Sequence, residues 1–105
     1  MADDDMLVTV ETKLDVVAAK AFEAELLAKL EATTNTLYVD FSPCPYVSSA
    51  GLRAVLIGAK NAKKTNKQLI LAGMNPIVRD VFKVSGFDRM LQIETDLETA
   101  RARHE

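Results

Sequence analysis

Short apolar segments of strand type alternate with longer helical segments along this chain, and that alternation restricts it to a sheet covered by helices. Met6 to Val10 reads as the first strand, Leu37-Tyr38-Val39-Asp40-Phe41 as the second and Gln68-Leu69-Ile70-Leu71-Ala72 as the third. Between the first two, Val16 to about Glu31 is helical: Ala19, Phe22, Leu26 and Leu30 form one apolar stripe, while Lys20, Glu23 and Lys29 face elsewhere. Asp15 is its expected cap. A second helix begins near Ser49 and runs to about Lys64, with Leu52, Val55, Leu56 and Ala59 at helical spacing. Asn75 followed by Pro76 opens a third, Val78, Val81 and Phe82 form its buried side, and Ser85-Gly86 stops it. Met90 to Ile93 reads as a short final strand, and Thr95-Asp96-Leu97-Glu98 as a capping box opening a terminal helix to about Arg103. The expectation is an α/β fold, a small mixed sheet of about four strands covered by about four helices, formed by residues 1–105 as one domain.

The residues exclude several kinds of function. Charged residues make up 27% and the formal net charge is −2, so direct nucleic-acid binding is not expected. The one basic concentration, Lys60, Lys63, Lys64 and Lys67, lacks interleaved aromatics and reads as a solvated face. No apolar run approaches the ~20 residues that span a bilayer, and Met1-Ala2-Asp3-Asp4-Asp5 is acidic where a secretory signal is basic. A cytoplasmic protein with no membrane partner is the expectation. Cys44 is the only cysteine, which forbids an internal disulfide, and the proline-flanked linker Ser42-Pro43-Cys44-Pro45 is expected to be stiff and exposed. His104 lies in a charged tail beside Arg101 and Arg103. No metal and no cofactor is expected: zinc needs several Cys or His ligands, and Asp3, Asp4 and Asp5 do not have the spacing of a calcium loop. Met6, Met74 and Met90 read as core fillers.

The segment Tyr46-Val47-Ser48-Ser49-Ala50-Gly51-Leu52-Arg53 places two hydroxyls where strand gives way to helix. Ser48 or Ser49 is the expected N-cap. Backbone N–H groups at a helix start carry partial positive charge, so a hydroxyl there can hold an anion or accept a phosphate. Sites gather where strands end and helices begin, so Asp15, Asp40, Ser48 and Ser49 are expected along one edge. A hydrolase would need a base for the serine and the Gly-x-Ser-x-Gly elbow, and the chain has neither near Ser49. A nucleotide enzyme would need a glycine-rich phosphate loop, and the four glycines are scattered. What remains is a binding surface whose serine is modified by a separate kinase. A phosphate of about −1.5 to −2 charge would repel Asp15 and Asp40 and expel a partner from that edge. The plainer alternative is capping alone, worth about 1 kcal/mol over Ala.

Tyr46-Val47-Ser48-Ser49-Ala50-Gly51-Leu52 resembles the phosphorylation motif of STAS domains, the sulfate transporter and anti-sigma factor antagonist family, whose usual form is hydrophobic-Asp-Ser-Ser/Thr-Gly-Leu. Leu14-Asp15 resembles the family's Leu-Asp at its first helix, Leu37 to Phe41 its central strand, and Asn75 to Phe82 with Ser85-Gly86 its later helix, so the likeness covers roughly residues 6 to 103. It implies a non-enzymatic antagonist that binds an anti-sigma factor of the ATP-binding serine-kinase type, frees the sigma factor, and is released by phosphorylation. By position Ser49 matches the phosphoacceptor and Asp15 an acidic residue near the partner edge, with Asp40 a weaker match. The implied partner face comprises Asp15, Asp40, Ser48, Ser49, Leu52 and Arg53. Two positions depart from the pattern: Ser48 replaces the usual acid, and Ala50 replaces a small hydroxyl. Family members also commonly carry a strand before the first one here. Its absence would leave an open edge, a route to a homodimer. The alternative function is a constitutive STAS interaction module or assembly subunit without phosphate control.

Overall fold

In the computed structural model, residues 7–104 are described. The elements run β1 (Leu7–Thr9), α1 (Val16–Ala32), β2 (Thr36–Asp40), α2 (Ser49–Lys64), β3 (Gln68–Ala72), α3 (Pro76–Val84), a 3-10 turn (Phe87–Arg89), β4 (Gln92–Glu94) and α4 (Leu97–His104). The expected four strands and four helices are present. The strands pair in the order β1-β2-β3-β4, with Val8 beside Val39, Val39 beside Leu71, and Leu71 beside Ile93. All three pairings are parallel, which corrects the expected mixed sheet. Each connection carries a helical segment back across the sheet, so successive strands point the same way. The expected contributions of Met6 and of residues 1–5 lie outside the described residues.

Alternation along the strands divides the interior in two. Leu37, Val39, Leu69 and Leu71 face α1, α2 and α3, where they pack with Phe22, Leu26, Leu30, Val55, Val78 and Phe82. Tyr38, Ile70 and Ala72 face the other way and are covered by α4 through Ala100 and Leu97. Arg101 adds a cation over the Tyr38 ring, 5.5 Å from its centre. The α1 stripe, Ala19, Phe22, Leu26 and Leu30, is the set of residues that α1 buries. At Gly58 a side-chain carbon would overlap Leu26, so its absence lets α1 and α2 lie close together.

Several local expectations change. Cys44 is 1% exposed, not a surface thiol. Its N–H donates to Phe41 O at 2.8 Å, closing a turn that directs the thiol inward, and its Sγ donates to Tyr46 O at 3.3 Å. Burial pushes the Cys44 thiol above its ordinary pKa, against a smaller opposing effect of the Tyr46 and Leu14 backbone. Met90 is 64% exposed rather than a core filler, because the 3-10 turn ends on it, with its N–H donating to Phe87 O. That turn also delays β4, which starts at Gln92. Asp96, not Thr95, caps α4, its carboxylate accepting the Thr99 N–H at 2.7 Å. His104 is not in a loose tail: its Nε2 lies 2.8 Å from Glu94 Oε2. Among the basic residues, Lys67 is structural, its ammonium donating to Leu30 O and Glu31 O at the C-terminal end of α1.

Candidate functional site

Two loops that leave parallel strands run side by side at one end of the sheet. Leu14 and Val47 form a parallel bridge: Leu14 N–H donates to Tyr46 O at 2.8 Å and Ser48 N–H donates to Leu14 O at 2.9 Å. The residue after each bridge position is a cap. Asp15 caps α1 by accepting the Ala18 N–H at 2.9 Å, and Ser48 caps α2 by accepting the Gly51 N–H at 3.2 Å. The Ser48 hydroxyl also donates to Leu14 O at 2.9 Å, so one side chain satisfies a helix end and ties the two loops together. Gly51 permits the approach: a side-chain carbon there would stand 2.7 Å from Leu14 O and 2.8 Å from Leu14 Cγ. Thus the bridge, the shared Leu14 carbonyl and a missing methyl bring the N-termini of α1 and α2 to a common edge.

With Ser48 as the cap, Ser49 is the first residue of α2. It is exposed, and its side chain makes no hydrogen bond among the described residues. An open groove of about 720 Å³ lies beside it, between the first turns of α1 and α2, lined by Val16, Val17, Lys20, Glu23, Ala50 and Arg53. Its apolar part is unusually bare: Val16 is 69% and Val17 82% exposed. Isolated exposed apolar residues are ordinary, but here two large ones adjoin at a helix start, beside a free hydroxyl. The cations Lys20 and Arg53 are exposed at the rim and have no ion pair among the described residues. Lys13 stands 4.0 Å from Asp15, an exposed pairing that contributes little to stability.

The expected cluster of two carboxylates and two hydroxyls forms only in part. Asp15, Ser48 and Ser49 come together. Asp40 is held on the β3 side of β2, where its Oδ1 accepts the Ser42 N–H at 3.0 Å and would stand 2.8 Å from a side-chain carbon on Gly73. Leu52, expected on the partner face, is 8% exposed and belongs to the core, because its position in α2 faces the sheet. Arg53, the next residue, is exposed on the groove. Val16, Val17 and Lys20 line the site without belonging to any motif that the sequence offers. The available signal was that Val16 and Val17 are large apolar residues outside the buried α1 stripe, so they must face something other than the core.

The single histidine, His104, belongs to α4 on the opposite face of the sheet, where its Nε2 faces Glu94 Oε2, an oxygen that Arg103 also pairs with at 3.6 Å. Ser49 therefore has no imidazole to take its proton. Among the described residues no group of three or more His, Cys, Asp or Glu side chains could hold a metal ion. No helix among them is long and apolar enough to cross a membrane.

The STAS domain family profile matches residues 2–100. A protein of Bordetella bronchiseptica described as a candidate anti-sigma factor antagonist, BtrV, is 37% identical over 84 residues, which cover 80% of this chain and 72% of that one. The crystal structure of TM1081 from Thermotoga maritima, also described as a candidate anti-sigma factor antagonist, superposes with a TM-score of 0.83 at 19% identity, over 95% of this chain and 87% of that one. The anti-sigma factor antagonist SpoIIAA of Bacillus is similar in two forms. The unphosphorylated form has a TM-score of 0.77 at 22% identity over 92% of this chain and 84% of that one. The phosphorylated form has 0.71 at 21% over 94% and 89%.

Proposed function

The chain belongs to the STAS domain family, and from that premise we propose that it is an anti-sigma factor antagonist-like regulatory protein, controlled by phosphorylation of Ser49. The observation that carries this reading is the exposed hydroxyl of Ser49, at the first position of α2 and beside the bare Val16–Val17 groove. The partner is an anti-sigma factor of the ATP-binding serine-kinase type. It covers the groove, buries Val16 and Val17, and contacts Asp15, Arg53 and Lys20 at the rim. Burying the two valines supplies on the order of 3 kcal/mol of apolar transfer energy. Leu52 supports this surface from beneath, and Ser48 fixes the position of Ser49.

In the switching step the Ser49 Oγ attacks the γ-phosphorus of ATP held by the kinase. The Oγ–P bond forms, the bond to the β-phosphate bridging oxygen breaks, ADP leaves and the hydroxyl proton passes to a kinase base. The product carries about −1.5 to −2 charge at a place that the partner covers, so binding is lost through desolvation and repulsion from carboxylates such as Asp15. The helix N-terminus partly stabilises the new charge, and α2 survives the modification. In the same reading the protein works in the cytoplasm without direct nucleic-acid or membrane partners and can self-associate through the β1 edge.

The test is incubation with the kinase-type anti-sigma factor of the same genome and ATP, followed by mass mapping. Phosphate on Ser49, abolished in Ser49→Ala, is the expected result. Modification only at other residues would remove the switch. A stable complex insensitive to Ser49→Asp would favour the constitutive module instead.

A further inference from the structure

The groove beside Ser49 holds two uncommitted cations, and their placement bears on how a phosphate there is accommodated. Arg53 lies four residues after Ser49 on α2, so the two side chains share one face at neighbouring turns. Helical side chains lean toward the N-terminus of their helix, which carries the Arg53 stem back over the turn that begins with Ser49. Lys20 approaches from α1, across the same groove. Neither cation has an ion pair among the described residues. The carboxylates nearby are Glu23, which lines the groove, and Asp15, which holds the Ala18 N–H and faces Lys13.

We infer that Arg53, assisted by Lys20, captures the phosphate of phosphorylated Ser49 inside the groove, so that the modified protein closes its own docking surface with an internal ion pair. This rests on the reading of Ser49 as phosphoacceptor. A guanidinium presents two parallel N–H donors that match phosphate oxygens, and a phosphate near −2 outcompetes the single charge of Glu23 for it. The consequence reaches beyond repulsion. In the unmodified protein Arg53 and Lys20 face outward and are available to acidic groups of a partner. After modification they are turned inward, and the partner loses its cationic contacts as well as meeting a new anion.

Phosphoserine installed at position 49 during translation tests this without any kinase or anti-sigma factor. The readout is the pH titration of its phosphorus NMR signal. A nearby cation favours the dianion and lowers the second phosphate pKa, so Arg53→Gln should raise it by about 0.3 pH unit, the size of an i,i+4 ion pair. Lys20→Gln should raise it by less, and Arg53→Lys should keep most of the original value. Both Arg53 variants replace an exposed side chain, and equal melting temperatures of their unmodified forms check that the fold is retained. Superposable titrations of the original and Arg53→Gln would overturn the inference. A protein that no kinase modifies at Ser49 would instead overturn the reading beneath it, with the titration unaffected.

Discussion

Ser48 and Ser49 are chemically identical neighbours in different surroundings, and their hydrogen bonds separate them. Ser48 Oγ accepts from Gly51 and donates to Leu14 O, whereas the Ser49 side chain is exposed and makes no hydrogen bond among the described residues. Ser48→Ala should therefore cost about 1–2 kcal/mol in a denaturant titration, and Ser49→Ala less than about 0.5 kcal/mol. Ser48→Asp, which restores the usual family residue, should also cost about 1 kcal/mol, because a carboxylate accepts the Gly51 N–H but cannot donate to the Leu14 carbonyl. An unchanged midpoint for Ser48→Asp would refute that account of the hydroxyl. Sequence showed that a cap lay at Ser48 or Ser49 but could not choose between them, since both are good cap residues and the choice depends on the Leu14 carbonyl 34 positions away. Cys44 departs from its expected exposure for a related reason: flanking prolines describe the backbone of a linker, while a turn to Phe41 decides where its side chain points. Its folded pKa is raised by burial, so the neutral thiol is the favoured form and its stabilising effect is present below the ordinary thiol value and lost as pH rises through the folded one. Alkylation of Cys44 at pH 8 should be at least about tenfold slower than in the unfolded chain.

Among the elements, the helices were the most legible, and β4, delayed by the 3-10 turn before it, the least. The α1 stripe and the Asn75-Pro76 start of α3 follow from helical period and cap chemistry, both of which are local. The end of the chain is governed by contacts distant in sequence: Ala100 and Leu97 against Tyr38 and Ile70, and His104 against Glu94. Asp96 illustrates the local part of that control. The Thr99 backbone and hydroxyl hold its carboxyl below the ordinary carboxylate value. The charged form is therefore favoured in the fold, and its contribution is present above the ordinary Asp value and lost as pH falls through the lowered one. On acidification below that range the first turn of α4 should fray, seen as faster exchange of the Thr99 and Ala100 amides, while α1 and α2 stay protected. The α1–α2 crossing is tested by Gly58→Ala. Alanine gains about 1 kcal/mol in helix propensity, yet its methyl overlaps Leu26, so the expected net change is a loss of about 1–2 kcal/mol. A net gain would mean that the two helices separate without cost.

At the scale of the molecule, the sheet divides the work between its faces. α1 and α2 bring their N-termini to one edge and make the groove, while α4 seals the opposite face over Tyr38, Ile70 and Ala72. Stability contributed by α4 and the binding proposed for the groove should then be separable. Ala100→Glu places a charge in the smaller core and should lose about 2 kcal/mol or more of stability, without weakening a partner held by the Ser49 groove at temperatures where the protein stays folded. The alternation of strands and helices made this layered α/β design readable from sequence, and the same alternation, with a helix in every connection, favours the parallel pairing over the mixed sheet that was expected. The groove was less readable, because it exists only where two caps 33 positions apart, Asp15 and Ser48, are joined by the Leu14–Val47 bridge. The most direct measurement of the central claim is calorimetric titration of the kinase-type anti-sigma factor into the protein with serine and with phosphoserine at position 49. The expected result is a loss of affinity of about 30-fold or more on phosphorylation, equivalent to about 2 kcal/mol; equal affinity for the two forms would contradict it.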